Sequence, residues 1–415
     1  MPILLKVDEL EAGMCLARNV VNRYSVLLPA GHTLSNDDIA SLARRIPDSL
    51  IDVIDPLLDQ IVQFEDDSQD KKVSHKVRKN ISSVVQKVSS KIREGVILNA
   101  ENISGMEEVV RKMLEYLKQN PVTMALIEQS CGWDDYLQEH SANVFYLSLV
   151  IGNSIRNYIS RERYRLSAAT SISKVMELTP LATAALFHDL GMVPIDYLYY
   201  KKEPLTADEK EQIRAHPIKG AEMLPAEINP MVRLVIRSHH ENYNGSGYPQ
   251  GLPGHETNIF ARIIRIADAY SAAIADKIYE SAKHPTIALY EMLYGRYRQF
   301  YDPILLKVLA SIIQPFPIGG KLKLEDGRWA VVVRHNRQDS FKPEIIIAFD
   351  ELGDPLNAED LEKPFCLGER ADIKIHSFAG QDLRFLNESN ENMGRLNQNE
   401  VKQLLYSELF DYSYP

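Results

Sequence analysis

Apolar and polar positions change texture several times along the chain. Over residues 1–65 short apolar runs alternate with turn residues: Ile3-Leu4-Leu5, then Val26-Leu27-Leu28 followed by Pro29-Ala30-Gly31. That alternation predicts a small N-terminal domain of mixed or strand-rich character. Residues 66–109 open with dense charge between Asp66 and Lys79, which predicts a charged linker or an exposed helix start, followed by connecting helices. From about residue 80 to residue 315 the apolar spacing turns helical, and residues 110–315 are expected to form one helical domain. Asn229-Pro230 and Thr179-Pro180 each set a capping residue before a proline at the first helical position. Past Pro315 the pattern changes again. Leu322 to Glu325, Asp326-Gly327 and Trp329 to Val333 read as a hairpin, Asp-Gly suiting a type I′ turn, and residues 344–349 as a further strand. A small β-rich domain is expected over residues 316–375. Residues 376–415, with Asn387, Asn390, Asn392 and Asn397, read as a polar tail. The class is mainly α, a helical core flanked by a mixed N-terminal and a β-rich C-terminal domain.

Within the helical stretch, potential metal ligands fall on apolar stripes. His239 follows Val235 by four and Val232 by seven, so it extends an apolar face, and His240 follows Ile236 by four on the neighbouring stripe. Both rings should point inward, about 100° apart. His188 and Asp189 end the helix that runs from Leu181 to Phe187. His140 begins a stripe with Val144, Leu147 and Ile151, and Asp268 extends the stripe of Ala261 and Ile264. His216 precedes Pro217 and Gly220. Taken singly, each residue has a plain structural reading: a core histidine, a loop residue or a solvated helix acid. Taken together, several imidazoles and carboxylates brought inward from different helices outline a metal site in a bundle.

Composition narrows the partners. At 415 residues the chain is too long for one core, and 45% apolar with 25% charged residues is an ordinary globular profile. A formal charge of −10 argues against nucleic-acid and anionic-membrane partners. An anionic small molecule stays open, because a metal site supplies positive charge locally. Cys15, Cys131 and Cys366 lie too far apart for a CxxC zinc site or a disulfide framework. The apolar runs fall short of the ~20 residues of a spanning helix, and the N-terminus lacks a signal-peptide pattern. A cytoplasmic protein is expected.

The order His188-Asp189, His216, His239-His240, Asn244-Gly245-Ser246-Gly247-Tyr248-Pro249, Asp268 resembles the HD-GYP family of bacterial cyclic di-GMP phosphodiesterases, a branch of the HD metal-dependent phosphohydrolases. The resemblance covers about residues 110–315. It implies an all-helical fold with metals at its centre, and a ligand set of His140, His188, Asp189, His216, His239, His240 and Asp268. It further implies that Asp189 bridges two metals and serves catalysis, with His216, His239 and His240 on the second. The donor set suits two divalent ions, iron or manganese first, with zinc and nickel also open. Relatives with a third metal carry a glutamate where this chain has Tyr136, which favours two. The implied activity is hydrolysis of cyclic di-GMP to linear pGpG, with onward cleavage to GMP left open. Gly247, Tyr248 and Pro249 would form part of the substrate pocket, and Lys201, Arg262 and Lys277 are the nearest basic candidates for phosphate contacts.

The departures weaken the enzymatic reading. The family's HDxGK ends here in Met192, so a cation expected near the substrate phosphate is missing; Lys201 and Lys202 could compensate. The acid usual three residues past Asp268 is Ser271, the usual Arg-Pro-Tyr is Lys277-Ile278-Tyr279, and Glu280 follows where a basic residue is common. Losing one preorganised electrostatic group can cost ~10²–10³ in rate. The rival reading is a weakened module that binds cyclic di-GMP, or a signalling protein partner, as a sensor. A third is a phosphohydrolase of another nucleotide, against which the intact Gly-Tyr-Pro turn counts. Neither the oligomeric state nor the input to the N-terminal domain is written in the sequence.

Overall fold

The computed structural model describes residues 2–21, 26–47, 49–55, 58, 68–119, 136–166, 177–275, 283–336 and 339–387. The described residues divide into two compact units, one built from 2–58 together with 314–387 and the other from 68–313.

In the first unit β1 (Pro2–Lys6) pairs antiparallel with β4 (Leu50–Ile54), and β2 (Val20–Val21) with β3 (Val26–Leu28). Helix α1 (Asn36–Arg45) starts at a reciprocal cap: the Ser35 hydroxyl accepts from Asp38 N, and the Asp38 carboxylate accepts from Ser35 N. The C-terminal part is one antiparallel sheet of six strands: β5 (Lys321–Leu324), β6 (Trp329–Arg334), β7 (Glu344–Phe349), β8 (Phe365–Cys366), β9 (Ile375–Phe378) and β10 (Gln381–Asp382). Their order is β10-β9-β5-β6-β7-β8. Two boundaries differ from expectation. The N-terminal and β-rich segments, expected as separate domains, form one unit in which Leu4 N donates to Gly319 O at 2.9 Å. The range expected as a polar tail from residue 376 is folded at its start. β9 and β10 lie inside that range, and Asn387 seals the strand by accepting from Ile375 N at 3.0 Å and donating to Ile375 O at 2.7 Å. Residues 388–415 lie outside the described residues. The Asp326-Gly327 turn also differs. Only Gly327 has a positive φ, +95°, whereas a type I′ turn needs one at both central residues.

The second unit is helical. Its elements are α2 (Ser68–Arg93), α3 (Ala100–Gln119), α4 (Tyr136–Ser154), α5 (Arg156–Leu166), α6 (Thr179–Phe187), α7 (Ala207–Arg214), α8 (His216–Glu222), α9 (Pro230–Ser238), α10 (Ile259–Ala273), α11 (Pro285–Tyr294) and α12 (Pro303–Ile312). A 3₁₀ segment, Leu190–Tyr200, follows α6. From Ser68 onward the charged stretch, expected as a linker or an exposed helix start, is the start of α2, which packs on α4. Val77, Ile81, Val84, Val85 and Val88 recur every three to four residues and are buried, so the helix is held by its apolar face. Helix α4 is the axis of the unit, buried from His140 through Gly152 and packed against α2, α6 and α10. Helix α9 is capped by the Asn229 side chain, as its sequence predicts. Helix α6 is not capped by Thr179, which is its first residue. No helix among the described residues is long and apolar enough to cross a membrane.

Candidate metal centre

All seven residues singled out from the sequence converge at the middle of the helical unit. They reach it from five places: α4 (His140), the end of α6 (His188, Asp189), the start of α8 (His216), the end of α9 (His239, His240) and α10 (Asp268). Six are less than a tenth exposed, and His240 is half-buried. Two groups of donor atoms have the spacing to hold a metal ion, and they share one carboxylate. His140, His188 and Asp189 make one group; Asp189, His216, His239 and His240 make the other, with the atoms of each group within 4.8 Å of one another. Asp189 Oδ2 lies 3.6 Å from His188 Nε2 and 3.8 Å from His140 Nε2, while Oδ1 lies 3.2 Å from His216 Nε2 and 3.9 Å from His239 Nε2. The two oxygens therefore face different groups. Asp268 links them, 3.1 Å from His140 Nε2 and 3.8 Å from His240 Nδ1.

The local structure that delivers these groups is close-packed. A Cβ on Gly191 would fall 2.2 Å from His216 O and 2.8 Å from Gly220 N. Only a glycine there lets the turn after Asp189 touch the start of α8, which sets His216 beside Asp189. The Gly-Tyr-Pro turn folds back on the paired histidines in the same way. A Cβ at Gly247 would meet Asn242 N at 2.2 Å and His240 O at 2.5 Å. Glu241, buried between the ligand helix and the turn, accepts from Gln250 N at 2.7 Å and Leu252 N at 3.0 Å. The result places the Tyr248 ring on the His240 ring, 4.7 Å between centroids and 21° from parallel.

The histidine hydrogen bonds test whether cations fit. His188, His216 and His239 each direct Nδ1 at the backbone carbonyl three residues earlier, on Ala185 (2.9 Å), Ile213 (2.6 Å) and Ile236 (2.6 Å). A carbonyl only accepts, so each Nδ1 carries the proton and each Nε2 of the neutral ring presents a lone pair. His188 Nε2 is buried with no hydrogen-bond partner. His216 Nε2 and His239 Nε2 stand 3.2 Å apart, two lone pairs facing each other. An orphaned buried acceptor and a pair of opposed acceptors are unfavourable by themselves and fit cations held between them. Burial pushes His188 and His240 below the ordinary imidazole range and His239 down to about 3, with neighbouring histidines adding to the effect in His239 and His240. Neutral imidazole is the form that binds metal. Burial by itself would raise the Asp189 carboxyl. The histidines around it outweigh that effect and hold the group well below the usual carboxylate range, so it stays ionised and open to a cation.

Around this cluster the structure revises several expectations. Ser271, standing where an acid was expected, is fully buried and 3.0 Å from His140 Nδ1. Met192 lies in an apolar cluster with Leu137, Val193, Ile195 and Leu198. Tyr136 stacks on His140, 6° from parallel, and packs against Tyr199. The Tyr199 hydroxyl donates to Asp189 Oδ2 at 3.3 Å, a contact with no signal in the sequence. Two proposed phosphate contacts are committed elsewhere. Arg262 is buried and paired with Asp302 at 2.6 Å and with Glu162. Lys201 is paired with Glu209 at 2.7 Å. Arg262 lies on the inward face of α10, so its charge required internal partners. Lys277, with Tyr279 and Glu280, lies outside the described residues. Two guanidinium groups that the sequence reading passed over stand nearer the centre. Arg214 lies 5.1 Å from the centroid of the Tyr248 ring, and Arg265 is one helical turn before Asp268 on α10. Their positions, two residues before His216 and three before Asp268, were the available signal.

Residues 156–305 match the family model for the HD domain. The chain is 29% identical over 169 residues to the cyclic di-GMP phosphodiesterase PA4108 of Pseudomonas aeruginosa, with 40% of each chain covered. It is 30% identical over 198 residues to the cyclic di-GMP phosphodiesterase PdeB of Borreliella burgdorferi, covering 47% of each. It is 35% identical over 131 residues to the cyclic di-GMP phosphodiesterase response regulator RpfG of Xanthomonas campestris, covering 31% of this chain and 34% of that one. These alignments span less than half the length of the relatives. His140 precedes the matched residues, so its place in the site rests on geometry. With the shared carboxylate and the converging imidazoles, residues 156–305 form the part of this chain that is similar to the HD domain family and to these phosphodiesterases.

Proposed function

We propose that this protein is a binuclear metal-dependent phosphodiesterase that hydrolyses cyclic di-GMP to linear pGpG. The observation that carries the reading is the pair of ligand groups sharing Asp189. His140, His188 and Asp189 would hold one cation, and Asp189, His216, His239 and His240 the other. Two such ions, iron or manganese on this imidazole and carboxylate set, would supply hydroxide near pH 7 and offset charge on the phosphate oxygens. The chain itself does the positioning. The three backbone-anchored rings keep their Nε2 lone pairs aimed inward. Tyr199 fixes Asp189 Oδ2 through a hydroxyl that burial, then the Asp189 charge, push well above the usual phenol range, so it stays a donor. Tyr248, carried over His240 by the glycine turn, lines the site beside the second ligand group. Soluble signalling in the cytoplasm is part of the same proposal.

A second reading, a sensor that binds cyclic di-GMP with little turnover, is favoured by one observation: position 192 is apolar and packed into a cluster of its own. Turnover of cyclic di-GMP by metal-replete, reduced protein separates the two, with iron and manganese content measured in the same sample. The enzyme reading expects ~1 s⁻¹ or more, the ordinary range, with pGpG as first product and GMP scored alongside. Tight binding without turnover in fully loaded protein would leave only the sensor.

A further inference from the structure

We propose that Arg214 and Arg265 are the phosphate-contacting cations of this metal centre, in place of Lys201 and Arg262. The inference rests on the phosphodiesterase reading and names the groups that would recognise the anionic diester. Its basis is which cations near the cluster remain unneutralised. Arg262 is closed into a buried network with Asp302, Glu162 and Tyr158. Lys201 carries a close pair with Glu209. Met192 has no charge. Arg214 and Arg265, by contrast, have no carboxylate within ion-pair distance among the described residues.

Both are held in place by contacts that leave their charge unspent. Arg214, exposed at the end of α7, lies over the Tyr248 ring. A guanidinium over an aromatic ring uses its face and keeps its in-plane N–H donors for a partner. Arg265, partly exposed, donates from Nε to Asn242 Oδ1 at 3.1 Å and lies 5.2 Å from the centroid of the Tyr301 ring. Its Nη atoms carry the remaining donors. Helical spacing sets Arg265 on the same side of α10 as Asp268. Arg214 lies over the Tyr248 ring, which itself stacks on His240, and Arg265 is one helical turn from Asp268, so both guanidinium groups flank the cluster. Two forked donors there suit the non-bridging oxygens of a phosphodiester, a match a lysine reproduces only as a point charge.

The test uses the metal-loaded full chain and inorganic phosphate as probe, by calorimetry, with kcat and KM for cyclic di-GMP measured in parallel. Arg214→Gln and Arg265→Gln should each weaken phosphate binding about tenfold, the size of one charged hydrogen bond, with bound metal unchanged. Arg214→Lys and Arg265→Lys should recover part of that loss. Arg298→Gln, which removes an exposed cation elsewhere in the unit, should change nothing. Phosphate affinity within twofold of wild type in both glutamine variants overturns the proposal. So does an equal loss in Arg298→Gln, which would mark a diffuse charge effect. Should a glutamine variant lose metal, its lysine counterpart decides: metal-replete lysine variants binding phosphate as wild type does would overturn it. Arginine-dependent phosphate binding in a wild type inert towards cyclic di-GMP would sink the phosphodiesterase reading and leave the arginine assignment standing.

Discussion

Ser271 shows how much one buried hydroxyl can carry. Its oxygen is 3.0 Å from His140 Nδ1, and the other nitrogen of that ring faces Asp268 and Asp189. The hydroxyl therefore orients the ring, the task an outer hydrogen-bond partner performs for a ligating histidine. Ser271→Ala should weaken metal binding about 10–100-fold, read by competition with a chelator, and Ser271→Thr should retain most of it. An unchanged affinity in Ser271→Ala would leave the hydroxyl a space-filler. Asp189 makes a sharper case because both groups need it. Asp189→Ala should remove most of both metals, measured as metal per chain; loss of only half would count against a shared ligand.

At the scale of elements, the site depends on backbones that approach too closely for side chains. Gly191→Ala would set a Cβ 2.2 Å from His216 O, and α8 would have to move, taking His216 with it. We expect a loss of about 1–3 kcal/mol, typical of overpacking, read as a lower denaturation midpoint, with metal lost chiefly from the group containing His216. The Gly-Tyr-Pro turn has a different anchor. Glu241 satisfies Gln250 N and Leu252 N from a buried position. Glu241→Ala should leave both amides unpaired, speed their hydrogen exchange by tenfold or more, and release Tyr248 from His240. Amides at 250 and 252 exchanging as in wild type would show that the turn holds itself.

For the whole molecule, the centre should be costly without metal. The helical unit has several neutral histidines and a shared carboxylate at its middle, so ligand-free protein should melt lower and regain its midpoint when iron or manganese is returned. The acid dependence follows from the histidines. His188, His239 and His240 have folded pKa values below the unfolded value of about 6.5, with His239 near 3. Between those limits the unfolded chain binds more protons than the folded one, so stability falls as pH drops below about 6.5. Metal-free protein should therefore lose stability from pH 7 to pH 5 in urea titrations. A flat profile would contradict buried neutral histidines.

The helical class and the inward direction of His140, His239, His240 and Asp268 follow from local periodicity, because an apolar stripe dictates which way a helix faces; the place of His216 and the division of the histidines between two groups came from the resemblance alone. Burial of Val77 to Val88 on α2 was equally periodic, but the charge between Asp66 and Lys79 masked it. What the tertiary structure alone decided is which cations stay free and which strands join. Arg262 and Arg265 sit three residues apart on one helix, yet only the packing of α5 and α12 brings Glu162 and Asp302 to the first and leaves the second facing Asn242. Tyr199 meets Asp189, and Leu4 meets Gly319, across folds of the chain that no local pattern encodes. A sequence displays the face a residue occupies; the partner on that face comes from a distant segment, and its arrival is settled by the packing of the whole core.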